Sequence, residues 1–362
     1  MEPTRNQVLL LRFSAMGDVA LLAPIVQAFT QRYPDVSITL VTRPKFAVFF
    51  SGFPNVHIIE ADFDGRHKGF GGLVRLFGEL RQLASVGVVV DTHQNLRSGV
   101  LKGLFRLIGV PSVTIDKGRD EKKALTRKEN KVRRPLLHSV ERYAKTFDRA
   151  GFALQPTRPF QFPPFPSADS ELASFFHRHA VPDKPRPWLG IAPFAQHAQK
   201  MWPFDRFAPL LANLFAGPPL TVFLFGGGPA EIAQLETLRQ HFPQVVLVAG
   251  QLSMAAELAL MRQLNGMLCM DSGNMHLAAL SGVPVLSIWG ATHPDAGFGP
   301  WGQGEEAILQ IPTDVLTCRP CSVFGNKPCW RGDLACLNDI SVDIVAARVR
   351  QLLFSPPIKI GV

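Results

Sequence analysis

Short apolar runs closed by small or polar residues alternate along the chain with stretches in which apolar positions recur every three or four residues. The first run, Gln7 to Phe13, ends in the small-residue turn Ser14 to Gly17, ahead of a periodic stretch from Asp18 to Arg32. This is the pattern of a strand, a loop and a helix. Ser37 to Thr42, Val56 to Glu60 and Val86 to Asp91 read as further strands, with helices near Leu73 to Leu83, Ser98 to Leu107 and Leu136 to Ala150. Continuously apolar strands separated by helices predict a parallel sheet covered on both faces. Between Gln155 and Pro166 five prolines break the rhythm, because proline neither continues a helix nor donates within a central strand. Strands then recur at Trp188 to Ala192, Leu220 to Phe225, Val245 to Val248, Met267 to Met270 and Val283 to Trp289, with helices starting near Phe204, Pro229, Met254 and Asn274. The organisation expected is an amino-terminal α/β domain over 1–155, a Pro-rich linker over 156–167 and a second α/β domain over 168–340. A carboxy-terminal helix, around Val342 to Phe354, and a tail fill 341–362 and are free to pack on either domain.

Composition narrows the class. With 362 residues, 46% of them apolar and 19% charged, the chain has room for two cores and is neither disordered nor fibrous. Arg12 and Asp18 interrupt the first apolar run, and Gly226 to Gly228 end another, so nothing approaches the ~18 apolar residues of a spanning helix. The same two charges break any signal-peptide core, and no small-residue cleavage site follows; a cytoplasmic protein is expected. The net charge of +9 is concentrated early, with 25 Lys and Arg against 14 Asp and Glu in residues 1–160, and 13 against 15 thereafter. Lys117 to Arg134 alone holds nine basic and three acidic residues. Such a run is either a solvated loop or the footprint of an anionic partner, and charge by itself leaves nucleic acid, anionic lipid and an acidic glycan open.

Doubly wound domains bind ligands at the carboxyl ends of their strands, so the loops there carry the chemistry. Neither a P-loop GK[ST] nor a GxGxxG follows the first strand, which argues against an ordinary ATPase or dehydrogenase. In Ser14 to Asp18, Gly17 allows close backbone approach, and Asp18 is either a favourable helix-terminal charge or a reacting carboxylate. Asp271 to Ala279 runs from strand into helix, where the Gly273 and Asn274 amides form an anion site; helix capping by Asp271 and packing by His276 are the plainer alternatives. Gly227, in Gly226 to Pro229, with Glu231 in the following turn suits a ribose, or is a plain turn. Lys200 is placed to neutralise a leaving diphosphate, as any exposed lysine after a strand would be. Asp62-Phe63-Asp64 has a metal-nucleotide spacing that arises readily by chance. Cys269 stands alone, whereas Cys318, Cys321, Cys329 and Cys336 fall within nineteen positions. They are a candidate structural zinc site, reduced thiols or local disulfides, the last disfavoured in the cytoplasm.

Taken together, FSAMGD, QKMWP, GGGPAE and the long DSGNMHLAALSGVPVLSIWGATHP block resemble glycosyltransferase family 9, the lipopolysaccharide heptosyltransferases. Asp91 to Ser98, His138 to Tyr143 and the Cys-rich tail add to the likeness, which spans nearly the whole chain. The resemblance implies a GT-B fold, two Rossmann-like doubly wound α/β domains facing each other across a cleft. It also implies inverting transfer from an ADP-activated heptose, with no cofactor and no catalytic metal. By the family's pattern Asp18 is the general base. Lys200, Gly273, Asn274 and His276 hold the diphosphate, Glu231 meets the ribose and Asp271 the sugar. Gln94, Arg97, His138, Lys122 and Lys123 then face an anionic glycolipid acceptor. Such an acceptor implies peripheral work at the cytoplasmic face of the inner membrane, with no nucleic acid partner. Two other classes stay open: a non-catalytic anion-binding protein on this scaffold, and a sugar-nucleotide epimerase.

Overall fold

The structure, a computed structural model, describes residues 7–354 apart from 84, 85, 157, 159 and 182–185. The tail expected over 355–362 therefore lies outside the described residues. The chain forms two compact units, one of residues 1–119 and 137–163, the other of 120–136 and 164–362.

In the first unit, β1 (Gln7–Leu11), β2 (Ser37–Thr42), β3 (Val56–Glu60), β4 (Val88–Asp91) and β5 (Ser112–Thr114) form a parallel sheet in the order β3-β2-β1-β4-β5. β1 is buried along its whole length, as its unbroken apolar run requires of a central strand. The chain winds outward from β1 to β3, crosses back through α3 (Gly69–Leu83) to β4, and winds the other way through α4 (Leu96–Leu107). Leu73, Leu76 and Leu80 of α3 and Leu101 and Phe105 of α4 share one core with Leu9, Leu11 and Val89 of the strands, so both helices cover the same face. The periodic stretch expected to be one helix after β1 is two, Met16–Ala20 and Ala23–Arg32, because Pro24 opens the second with no N–H to give the first.

The second sheet is also parallel, in the order β11-β10-β9-β6-β7-β8 over β6 (Trp188–Ala192), β7 (Thr221–Leu224), β8 (Val246–Leu247), β9 (Gly266–Met270), β10 (Val285–Trp289) and β11 (Ile308–Gln310). The final helix, Val342–Phe354, belongs here: Val345, Ala346 and Val349 join the core of Leu268, Leu286 and Leu210. The Pro-rich stretch is packed rather than loose, with Phe160 and Phe162 buried in the first unit and Phe165 in the second.

The basic run corrects two expectations. Residues 119–126 form a helix, not a loop, and 120–136 pack with the second unit although they precede the prolines. Leu136 N–H donates to the Asp295 carbonyl (2.8 Å), Lys131 Nζ to the Pro320 carbonyl (2.6 Å) and Arg133 Nη2 to the Thr317 carbonyl (2.8 Å), while the Lys122 ammonium lies 4.1 Å from the Phe298 ring centre. The cations of this segment thus find carbonyls and a ring face as partners. Counted by unit, the first holds 18 basic residues against 11 acidic and the second 20 against 18, so the excess is milder than the sequence halves suggest.

Candidate active site

In the first sheet the winding direction reverses between β1 and β4, which opens a crevice at the carboxyl ends of those two strands. Arg12 leaves β1 into this crevice and is buried, with Nη2 2.7 Å from Asp18 Oδ2 and Nη1 donating to the Thr92 carbonyl. Burial works against the guanidinium charge, but the acidic groups around it, Asp18 foremost, together more than restore it. The Tyr143 hydroxyl, pushed up by burial and so protonated, donates to the Asp18 carbonyl at 3.1 Å. Asp18 is thereby fixed at side chain and backbone, while its carboxyl group stays about a third exposed, at 36%.

Across the crevice, Asp91 Oδ1 accepts the N–H groups of His93 (3.0 Å) and Gln94 (2.8 Å) and closes the turn after β4. Gln94 sits in the left-handed region at φ 53°, and an Asn95–Ser98 capping box starts α4. The Phe13 N–H donates to His93 Nδ1 at 2.9 Å and ties the two loops together. Burial, then Arg12 and Lys117, pull the His93 pKa from 6.5 to about 3, so the ring is neutral with its proton on Nε2. Burial, then Arg12 and Arg119, also lower Lys117. Arg97 lies 5.0 Å from the Phe63 ring centre, and with Arg12, Lys117 and Arg119 it surrounds this loop pair with positive charge.

The His93 shift has a measurable consequence. Between pH 6.5 and about 3 the unfolded chain binds a proton there that the folded chain does not, so stability present at neutral pH is lost as pH falls through that window. His93→Asn, which keeps an acceptor for Phe13 N–H, is expected to show a smaller drop in urea midpoint between pH 7 and pH 5 than the parent.

In the second sheet the reversal lies between β6 and β9. Lys200, after β6, places Nζ 3.0 Å from Asp271 Oδ2, directly after β9, and the Thr292 hydroxyl donates to the same oxygen at 2.7 Å. The helix Gly273–Leu280 begins beside this pair with extended Ser272 as its N-cap, and no side chain caps it, so the Gly273 and Asn274 amides head a helix N-terminus. His276 follows, buried in the same helix. After β7, Gly227 has open space where a side chain would project, and its N–H donates to Glu231 Oε2 at 2.8 Å.

The Cys-rich segment supports this second site. Buried Arg319 donates to the carbonyls of Trp289, Gly290, Thr292 and Ile311, and the Cys321 and Ser322 N–H groups both donate to the Ala291 carbonyl. Gly325, at φ 74°, packs so closely on the Lys200 stem that a Cβ would come within 2.5 Å of Lys200 Cγ. Cys318, Cys321, Cys329 and Cys336 line one small pocket as free thiols, which sets aside local disulfides. Among the described residues, however, no three Cys, His, Asp or Glu side chains stand together as a ligand set, so these thiols do not fit the zinc expected of them. Burial raises Cys321 and pushes Cys336 up to about 12. Burial opposes a thiolate at Cys329 too, but the N–H groups of Leu334, Arg331 and Gly332 outweigh it and lower its pKa. Iodoacetamide at pH 7.5 is therefore expected to label Cys329 at least about tenfold faster than Cys321 or Cys336, as peptide mass mapping would read.

The remaining sequence candidates divide. Gln94 and Arg97 join the Asp18 loops, and Gly17 lies buried in the first helix turn. His138 caps the helix Ser139–Arg149, its Nδ1 accepting Val140 N–H at 3.2 Å. Lys122 and Lys123 belong to the second unit, Lys122 buried on Phe298 and Lys123 exposed. Asp62 spends its carboxylate on the N–H groups of Asp64, Gly65 and Arg66, and Asp64 pairs with Arg43, so this spacing turns a loop. Arg12, His93 and Tyr143 were not singled out from the sequence. The one signal for Arg12 was a charge placed directly after a fully apolar strand.

Residues 79–322 match the pattern of glycosyltransferase family 9 (heptosyltransferase), two thirds of the chain. The chain belongs to glycosyltransferase family 9. Over 298 residues, 79% of each chain, it is 24% identical to the lipopolysaccharide core heptosyltransferase OpsX of Haemophilus influenzae. Among solved structures, a family 9 glycosyl transferase from Veillonella parvula superposes with a TM-score of 0.76 at 19% identity, covering 98% of this chain and 99% of that one. The ADP-heptose lps heptosyltransferase II of Escherichia coli gives 0.65 at 18% identity, covering 96% and 98%. The fold is accordingly of GT-B type, with two Rossmann-like units, and the protein is a glycosyltransferase of the heptosyltransferase family.

Proposed function

We propose that this glycosyltransferase moves a heptose from ADP-heptose to a lipopolysaccharide core or related anionic glycolipid, with inversion and without a metal ion. The observation that carries the reading is the Arg12–Asp18 pair, a partly exposed carboxylate 2.7 Å from a buried guanidinium at a topological switch point. In the reaction the acceptor oxygen forms a bond to the anomeric carbon while the bond from that carbon to the diphosphate oxygen breaks. The hydroxyl proton passes to Asp18. A carboxylate is a weak base towards a resting hydroxyl, yet suffices once bond formation has made that hydroxyl acidic. The departing ADP is met by Lys200, two of whose three N–H donors remain beyond the one Asp271 takes, and by the Gly273 and Asn274 amides and His276. Glu231 binds the ribose through the oxygen that Gly227 N–H leaves open, and Asp271 contacts the sugar. The cations around Gln94, including Arg97, suit an acidic acceptor.

The relatives named above support the donor and acceptor, since their names carry ADP-heptose and lipopolysaccharide core. Among the described residues no helix is long and apolar enough to cross a membrane, so work on a membrane-borne acceptor calls for peripheral attachment to the cytoplasmic face. Incubation with ADP-heptose and a deep-core acceptor should release ADP and add one heptose to the acceptor by mass. Equal consumption of donor without acceptor would mark an epimerase or hydrolase, and salt-sensitive polyanion binding with no ADP release would mark a binding protein.

A further inference from the structure

Helices α3 and α4 lie side by side on one face of the first sheet, joined by a contact of the Phe77 and Phe105 rings with centroids 4.9 Å apart. Their inward residues account for the core; their outward residues are unusual. Phe70 is 68% exposed, Leu96 85% and Leu107 84%, with Val74 and Ile108 also exposed. These five hold most of the large exposed apolar surface of the first unit, gathered on two neighbouring helices rather than scattered. On α4 they sit at the two ends with Gly99 and Gly103 exposed between them, a strip about 17 Å long at 1.5 Å per residue. An apolar strip this size on a water-facing surface needs a partner.

The charges identify it. Between residues 65 and 108 there are seven Lys and Arg and two acids; Asp91 is fully buried, and Glu79 is already paired with Arg66 and His67. Lys68, Arg75, Arg81, Arg97 and Arg106 are exposed around the strip. A second copy of the chain would bring the same positive rim and be repelled. An anionic bilayer surface complements both parts, the acyl boundary taking the apolar residues and phosphate headgroups the cations. The strip also begins at Leu96, between Gln94 and Arg97 of the acceptor loop, so a glycolipid rooted in that surface has its sugars beside Asp18. We infer that the outer face of α3 and α4, centred on Phe70 and Leu107, is the docking surface for an anionic phospholipid bilayer. This rests on the glycolipid reading for its biological purpose, but not for its test.

Purified protein is floated with vesicles of phosphatidylglycerol and phosphatidylcholine, and with vesicles of phosphatidylcholine alone. The parent is expected to float with the anionic vesicles and to be released by salt. Phe70→Glu with Leu107→Glu should lower partitioning at least about tenfold, with transfer to a water-soluble, deacylated acceptor unchanged. Arg75→Gln with Arg106→Gln, which leaves the apolar strip intact, should lower it in the same direction and serves as a control for folding. Full flotation of the Glu pair, or no flotation of the parent, overturns the inference. So does a parent dimer in sedimentation that the Glu pair splits without loss of vesicle binding. Because flotation uses no sugar nucleotide, vesicle binding as expected without heptose transfer would retain this surface and reject the proposed reaction instead.

Discussion

Asp18→Asn is expected to lower kcat for heptose transfer by at least about a hundredfold while leaving ADP-heptose binding near that of the parent. The amide keeps the shape and accepts a hydrogen bond from Arg12 through its oxygen, but it cannot take up a proton. Loss of a general base falls on kcat and on kcat/KM together, because the interaction exists only in the transition state. Arg12 makes the experiment more informative. Its buried guanidinium sits 2.7 Å from Asp18, within range of Lys117 and His93 and beside Tyr143. Asp18→Asn leaves that buried guanidinium without its charged partner, so a stability loss on the order of 3 kcal/mol accompanies the loss of activity. A large activity loss with ADP-heptose binding retained well below the melting temperature separates chemistry from folding; near-normal turnover removes Asp18 from the mechanism.

Lys200→Met should reduce kcat/KM for the sugar nucleotide by about a hundred- to a thousandfold, the size of effect seen when a fixed charge on a developing anion is lost. Here stability moves too. Asp271 is buried and its Oδ2 is shared by Lys200 and Thr292, so removing the lysine strands a carboxylate with one hydroxyl donor and costs on the order of 3 kcal/mol. The double substitution Lys200→Met with Asp271→Asn removes the stranded charge. It should recover most of the melting temperature, yet stay well below Asp271→Asn alone in activity, a difference that a purely structural lysine would not give.

Much of this arrangement was legible in the chain. The strands Ser37–Thr42, Val56–Glu60 and Trp188–Ala192 have the limits expected of them; the first and last are buried and end where the polarity changes, while Val56–Glu60 lies half-exposed at the sheet edge. Asp18, Lys200 and Asp271 were legible for a related reason: the segments that follow such strands lie at the ligand-binding edge of a doubly wound sheet. What escaped was whatever depends on contact between distant segments. The helix over 119–126 carries too few apolar residues to show a periodic face, and the partners of this segment, Phe298 for Lys122, Pro320 for Lys131 and Thr317 for Arg133, lie almost two hundred residues on. His93 reads as any loop histidine until Phe13 N–H is found against its Nδ1, and Tyr143 as any helix tyrosine until its hydroxyl meets the Asp18 carbonyl. The four cysteines invited a metal from spacing alone. Their neighbourhood shows a different use, in which Arg319, Cys321 and Ser322 brace the 289–292 loop and Gly325 braces Lys200.

At the centre of the account stands a single displacement, with one carboxylate taking the acceptor proton and a diphosphate leaving toward a helix N-terminus. Its most direct test is the anomeric configuration of the newly formed glycosidic bond, read by NMR on product made from ADP-heptose. One displacement requires a configuration opposite to that of the donor. Retention of the donor's configuration would require either two successive displacements or entry of the acceptor on the face the diphosphate leaves, and would contradict the mechanism.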